Sequence, residues 1–297
     1  MAKFSPADAV FSGFRFVKAR PATILVWAAY MLAALAVSSV AMIGIGGDSL
    51  AALSLIARAA QPNPQQLIKL MQDVLPATLF GGLLMTVFGS VLSTAMLRER
   101  LKPGPHPWAG LRLGTEELRM LGAKLLVLAL LFAAEILVGI FASALQGVGI
   151  PSAAILGLGL LLMAALMVRL SLAGVVSQTE ASVNPLRSLR LTGKLFWPLL
   201  GAIVLLGAIM LVVLVLVNLI FTALIGAAAL AGGVNVDQTM MAMVQGRFAD
   251  LNPLVFAVYI LSSLIRVWIA VAATAVFLSV ASDAYKAATS DEGAKTT

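Results

Sequence analysis

The chain carries six long apolar stretches, separated by shorter polar segments that hold most of its charged residues. A helix that crosses a hydrocarbon core of about 30 Å needs about 20 residues, and each of the six stretches is at least that long. The pattern therefore predicts an all-α polytopic membrane protein, with a single six-helix domain over residues 1–287. The predicted spans are 22–45, 75–97, 121–145, 151–176, 196–230 and 253–282.

The residues before the first span predict a further helix, over 5–18, that lies on the membrane surface. Ser5 is suited to cap it and Pro6 to occupy its first position, after which phenylalanine and valine recur at helical spacing. The length of the first span favours a retained membrane helix over a cleaved signal peptide. At the other end, the small and polar residues 288–297 predict a disordered tail.

Two polar segments resemble each other. Residues 106–113 and 184–191 align without gaps, and each leads within about ten residues into a membrane span at Leu-Gly-Ala. Residues 13–16 form a looser third copy ahead of the first span. We therefore predict a unit of one short cytoplasmic amphipathic helix and a membrane hairpin, used three times.

Composition and charge support a membrane protein and orient it. Hydrophobic residues make up 61% of the chain and charged residues only 11%, which is too little polar surface for a water-soluble domain of this size. Sixteen of the 20 lysines and arginines lie on one side of the predicted spans, against Arg58, Lys69 and Arg247 on the other. The positive-inside rule therefore predicts that both termini lie in the cytoplasm.

Motifs for catalysis are missing or incomplete. The chain has no cysteine and one histidine, His106, so a thiolate metal site and a histidine-rich catalytic centre are excluded. The segment 47–50 reads Gly-Asp-Ser-Leu, the nucleophile signature of a lipase family, but His106 lies on the opposite side of the predicted membrane. We therefore expect a protein that is not an enzyme, with no cofactor, no metal and no nucleic-acid partner.

Two charged residues lie deep within predicted spans. Glu135 is 14 residues into the third span and Arg266 is 16 residues into the sixth, both counted from the cytoplasmic side, so their depths agree within about 5 Å. A charge at such a depth is costly and usually has a partner. The sequence predicts that both side chains point into the bundle and leaves two interpretations open: a buried ion pair, or a contact to a ligand.

Basic and aromatic residues at the cytoplasmic ends of the spans predict contacts with lipid headgroups. Arginine and lysine at this level attract anionic phospholipid, and tryptophan favours the membrane interface. The candidate headgroup residues are Arg15, Lys18, Arg20, Arg112, Arg169, Arg190, Lys194 and Trp197. The cytoplasmic helices also allow a protein partner to dock.

The region after the fourth span resembles a known group of membrane proteins. The resembling residues are 175–180 (Val-Val-Ser-Gln-Thr-Glu), Pro185, 188–194 (Ser-Leu-Arg-Leu-Thr-Gly-Lys) and 196–197 (Phe-Trp). They look like the corresponding stretch of bacterial six-helix proteins of the glycerophosphodiester phosphodiesterase membrane-domain type, as do the openings Phe4-Ser5-Pro6 and Arg20-Pro21. The resemblance implies a six-helix fold in the bacterial inner membrane, without the catalytic domain that accompanies some of these proteins.

Three functions fit these observations. The first is a membrane protein that binds, moves or organises lipid in the cell envelope, which the basic helices and the charges within spans motivate. The second is a small-molecule transporter or permease, which the internal repeat motivates. The third is a membrane scaffold or assembly factor. Apart from Glu135 and Arg266, the spans hold little polarity beyond serine, threonine and Asn218, and this favours lipid over an ion or a sugar.

Overall fold

The computed structural model describes residues 4–56, 64–102, 104, 107–146, 152–235, 239 and 251–293. The described part of the chain is mostly helical and has no β-strand. Its helices are α1 (Pro6–Ala19), α2 (Pro21–Ile56), α3 (Pro64–Leu101), α4 (Thr115–Gln146), α5 (Ser152–Leu170), α6 (Ala173–Thr179), α7 (Pro185–Ala231) and α8 (Pro253–Gly293). A 3-10 turn, Pro107–Gly110, precedes α4.

Six segments are long and apolar enough to cross a membrane, which confirms the predicted number and order of spans. They are Pro21–Gly47, Ile68–Leu101, Trp108–Leu145, Ala154–Thr179, Pro185–Ala231 and Pro253–Ser290. Most extend beyond the predicted limits, because helices continue past the apolar core into amphipathic sequence. The protein is therefore an integral membrane protein of the all-α polytopic class.

Helix α1 forms where the sequence predicts it, but protein covers one of its faces. The Ser5 hydroxyl accepts a hydrogen bond from the Asp8 backbone N–H at 3.4 Å, and Pro6 opens the helix. Val10 and Phe16 are buried, and Gly13 lies directly against Val276 of α8. The apolar face of the predicted surface helix thus packs on α8, while Phe11 on another face stays exposed.

The three segments predicted to repeat have different backbones. Residues 107–110 form a 3-10 turn in which Trp108 and Ala109 have positive φ, and Arg112 follows it outside any helix, not on an amphipathic helix as predicted. Pro185, by contrast, opens α7, which runs without a break through the predicted interfacial segment into the fifth span. Only the copy at residues 13–16 lies on a separate helix, α1, so the alignment does not carry over into matching structure.

The C-terminal segment also differs from its prediction. Helix α8 continues to Gly293, so residues 288–293 are helical and not part of a disordered tail. Thr289 and Ser290 support this extension by donating hydrogen bonds to backbone carbonyls three or four residues earlier. Residues 294–297 lie outside the described part of the chain.

The chain divides into two compact units. The first comprises Met1–Val26, Gly89–Ala208 and Ala272–Thr297, and the second comprises Trp27–Phe88 and Ile209–Val271. Helices α2, α3, α7 and α8 each contribute residues to both units. The prediction of one domain over 1–287 stays a prediction.

In the second unit, the C-terminal end of α7 is capped by backbone hydrogen bonds and lies beside a small apolar cluster. Helix α7 ends in a Schellman motif, in which Val234 N–H donates to Ala229 O at 2.9 Å and Gly233 N–H donates to Leu230 O at 3.1 Å. Gly233 has a φ of +67°, which explains a glycine at this position. Beside the motif, Ala229 packs in a small apolar cluster that includes Val255 of α8.

Candidate functional site

The first unit holds a network of buried charges where α3 ends and α4 begins. The Arg98 side chain is 6% exposed and that of Glu117 is 4% exposed, and the two are joined at 2.5 Å. Arg98 also contacts Glu116 at 2.7 Å and donates to the carbonyl oxygen of Gly110. One guanidinium group therefore binds two carboxylates of α4 and the turn before them.

Two more ion pairs connect α3 to its neighbours in the same unit. Arg20, just after α1, pairs with Glu99. Arg100 donates to Asp283 of α8 at 3.0 Å and to the Ser12 hydroxyl of α1 at 3.0 Å. Ser12 in turn donates to Asp283 at 2.8 Å, so one triad holds three helices together.

Polar side chains of α4 and α6 extend the network. Lys124 donates to Gly89 O at 2.7 Å and to the Ser93 hydroxyl at 2.8 Å, both on α3. Gln178 of α6 donates to Glu116 O at 2.8 Å. Arg20, Arg98 and Arg100 are thus each paired with a carboxylate, and Lys124 binds neutral groups, which is an arrangement expected of a structural network. Within the described residues, no group of three His, Cys, Asp or Glu side chains is placed to hold a metal ion.

The predicted headgroup residues of α5 and α7 lie close together. The Ser188 hydroxyl donates to Arg169 O at 2.6 Å, which fixes the first turns of α7 against the end of α5. The Arg169 guanidinium lies 5.9 Å from the ring centre of Phe196, which meets Trp197 edge to face. Arg169 itself is exposed.

Arg190, Lys194 and Trp197 form an exposed stripe along α7. Their spacing of four and three residues places them on one helix face. All three are exposed, Trp197 to 76%. Among the described residues, Arg190 and Lys194 take part in none of the ion pairs. We name these three residues, together with Arg169, the basic stripe.

The other predicted headgroup residues fall into two classes. Arg15 and Lys18 are exposed on α1. Arg20 and Arg112 are already paired, with Glu99 and with Glu116 respectively. The charges of Arg20 and Arg112 are therefore less available to a phospholipid than those of the basic stripe.

The sequence predicts that Glu135 points into the bundle. In the structure Glu135 is instead exposed on α4. It lines a groove of about 430 Å³ between α4 and α5, otherwise bounded by apolar residues such as Val138, Leu156 and Met163. In the described part of the chain Glu135 belongs to none of the ion pairs. Its carboxylate thus faces apolar surroundings without a basic partner.

Arg266 is also exposed, on α8 in the second unit. Its guanidinium donates to the amide oxygen of Asn218 on α7 at 2.7 Å. Ser262 and Ser263, four and three residues before Arg266, donate their hydroxyl hydrogen bonds to the Tyr259 carbonyl oxygen. The predicted pairing of Glu135 with Arg266 within one chain stays a prediction, because the two residues belong to different units.

Sequence reasoning missed the charged network, although a signal for it is present. Arg98, Glu99 and Arg100 are consecutive charges of alternating sign at the end of an apolar run, and Glu116 and Glu117 stand together before the next. Carboxylates so close to apolar runs are themselves an indication of buried ion pairs.

Comparison of the sequence and the fold with known proteins gives no significant match to a protein family, a curated protein or a solved structure.

Proposed function

We propose that this integral membrane protein binds and organises anionic lipid at the cytoplasmic face of the bacterial inner membrane, without catalysing a reaction. The basic stripe supports this proposal best. It presents three cations beside an exposed tryptophan and, among the described residues, Arg190 and Lys194 have no carboxylate partner. Such a surface attracts the phosphate groups of anionic lipids.

The sequence of exposures along α7 fits a membrane interface. Toward the span the stripe passes from Lys194 to Trp197, and the same helix then exposes Val204 to 61% and Leu211 to 63%. A change from cations through tryptophan to aliphatic side chains is the order found between headgroups and acyl chains. The resemblance to bacterial six-helix membrane proteins, which stays a prediction, agrees with this placement.

The double variant Arg190→Gln/Lys194→Gln tests the lipid contact. Each cation near an anionic surface contributes about 1 kcal/mol, so we expect anionic phospholipid to associate roughly fivefold more weakly for each charge removed. Native mass spectrometry of the protein with its co-purified lipid measures the loss. Arg112→Gln/Arg187→Gln is a matched control, because it also removes two positive charges but from arginines paired with Glu116 and Glu180. Equal lipid retention by the two double variants contradicts the proposal.

Topology reporters test the orientation on which the proposal depends. The positive-inside bias predicts that fusions at Gly104 and Thr297 report the cytoplasm, and that fusions at Asn63 and Val236 report the outer side. Paired alkaline phosphatase and fluorescent-protein fusions distinguish the two compartments. A cytoplasmic signal at Asn63 or Val236 would place the basic stripe on the wrong side of the membrane.

A further inference from the structure

Helix α4 is an apolar span that the described part of the chain leaves largely uncovered. Between Lys124 and Leu145 no residue is buried, although the segment is strongly apolar. An apolar surface of this kind needs no cover in lipid. Glu135 lies in the middle of that surface and does need a partner, because acyl chains offer its carboxylate no hydrogen-bond donor.

The surroundings of Glu135 form a shallow seat for another helix. Glu135, Val138 and Ala142 lie on α4 at helical spacing, and Leu156 and Leu160 on α5 form the opposite wall. Gly159 lets the two helices approach closely, since a Cβ there would lie 2.8 Å from Val138 Cγ1. Small residues at such a contact permit a neighbouring helix to come near the backbone.

A cation is exposed elsewhere on the same chain. Arg266 binds only the neutral Asn218 side chain in the hydrogen bonds of the described residues, which leaves its charge without a counterion. Helix α7 contains no acidic residue, and α8 contains none before Asp283. The surface around Arg266 therefore carries a positive charge that complements the groove at Glu135.

The lengths of α4 and α8 agree with the depths that the sequence predicts for the two charges. Arg98 and Arg100, two residues apart on α3, bind Glu117 of α4 and Asp283 of α8, so these two carboxylates mark one level. Glu135 lies 18 residues along α4 from Glu117, and Arg266 lies 17 residues along α8 from Asp283. At about 1.5 Å per residue, each charge therefore lies a similar helix length from its carboxylate.

We infer that the groove between α4 and α5 receives α8 of a second copy of this chain, with the partner copy's arginine at position 266 bound to Glu135. A phospholipid is a poorer occupant, because its cationic groups lie at the headgroup level and not within the acyl chains. The contact joins two different surfaces of the protein, so a two-fold dimer contains it twice and a ring contains it once per subunit. This inference does not depend on the proposed lipid contact.

Charge reversal in two separately tagged chains tests the inference. Glu135→Arg and Arg266→Glu each place like charges together at the contact, and we expect each variant to lose self-association in lipid nanodiscs by at least about tenfold. When the two variants are co-expressed, Glu135 of one meets Arg266 of the other, and association should return. Lys286→Glu reverses an exposed charge outside the contact and should leave self-association unchanged.

Cysteine cross-linking gives a second measurement that keeps both charges, so its result does not depend on whether the charge-reversed variants fold. The natural chain has no cysteine, so only introduced thiols react. In antiparallel helices, Val138 three residues beyond Glu135 faces Ser263 three residues before Arg266. Chains carrying Val138→Cys and Ser263→Cys should form a mixed disulfide in native membranes, whereas Gly157→Cys with Ser263→Cys should not.

Two results overturn the inference. One is a wild-type protein that remains monomeric in nanodiscs, including the case in which Glu135→Gln releases a bound lipid from the monomer. The other is a failure of the complementary variants to associate while Glu135→Arg/Arg266→Glu in a single chain restores thermal stability. That second result would place the ion pair within one chain.

Discussion

Replacing Arg98 with methionine should lower the free energy of unfolding by about 3–5 kcal/mol, the range for removing one partner of a buried ion pair. Arg98 binds Glu116, Glu117 and the Gly110 carbonyl, and its side chain is 6% exposed. Methionine fills a similar volume but donates no hydrogen bond, so the buried Glu117 carboxylate is left without its counterion. Unfolding in detergent, titrated with dodecyl sulfate and followed by circular dichroism, measures the change.

A neighbouring arginine provides the control for Arg98. Arg112 binds the same Glu116 oxygen at 3.0 Å, but its side chain is 60% exposed. Exposed pairs contribute about 0–1 kcal/mol, so Arg112→Met should change stability little. Adding Glu117→Met to Arg98→Met should recover part of the loss, because it removes the stranded carboxylate. Equal effects of Arg98→Met and Arg112→Met would show that the network is not a stabilising element.

The membrane spans were predictable because lipid offers the backbone no hydrogen-bond partners. A long apolar segment must satisfy its own backbone hydrogen bonds, and a helix does so within the segment. Helix α1 was predictable for a local reason, since Ser5 and Pro6 specify where it begins. Only short-range information was needed in each case.

The charged network and the exposure of Glu135 were not predictable in the same way. Which carboxylate Arg98 or Arg100 binds depends on how helices distant in sequence pack: Arg100 and Asp283 are 183 residues apart. The repeat copy at residues 106–113 does not form the predicted helix for a related reason, because Trp108 and Ala109 adopt positive φ in a turn that Arg98 holds through Gly110. Tertiary contacts there override the local preference for a helix.

Replacing Gly13 with alanine should weaken the docking of α1, although alanine favours a helix more than glycine does. A Cβ at position 13 would lie 2.8 Å from Val276 Cγ1 and 3.0 Å from its Cα, and the backbone of α8 cannot rotate away as a side chain can. Helix α1 must therefore move, which also disturbs the Ser12 contacts with Arg100 and Asp283. Overpacking of this kind costs about 1–3 kcal/mol. A lower thermal midpoint in detergent and faster proteolysis within α1 are the expected observations.

The matched control for Gly13→Ala is a glycine at which alanine should stabilise the protein. Gly193 lies in α7 of the same unit, and a Cβ built there meets nothing within 4 Å. Gly193→Ala should stabilise the protein by about 0.5–1 kcal/mol, because alanine loses less backbone entropy in a helix and meets no obstacle. The difference between the two variants isolates the steric contact from helix propensity. If both substitutions raise the thermal midpoint, α1 does not pack on α8 at Gly13, and the Arg100, Asp283 and Ser12 triad would have to hold α1 without that close approach.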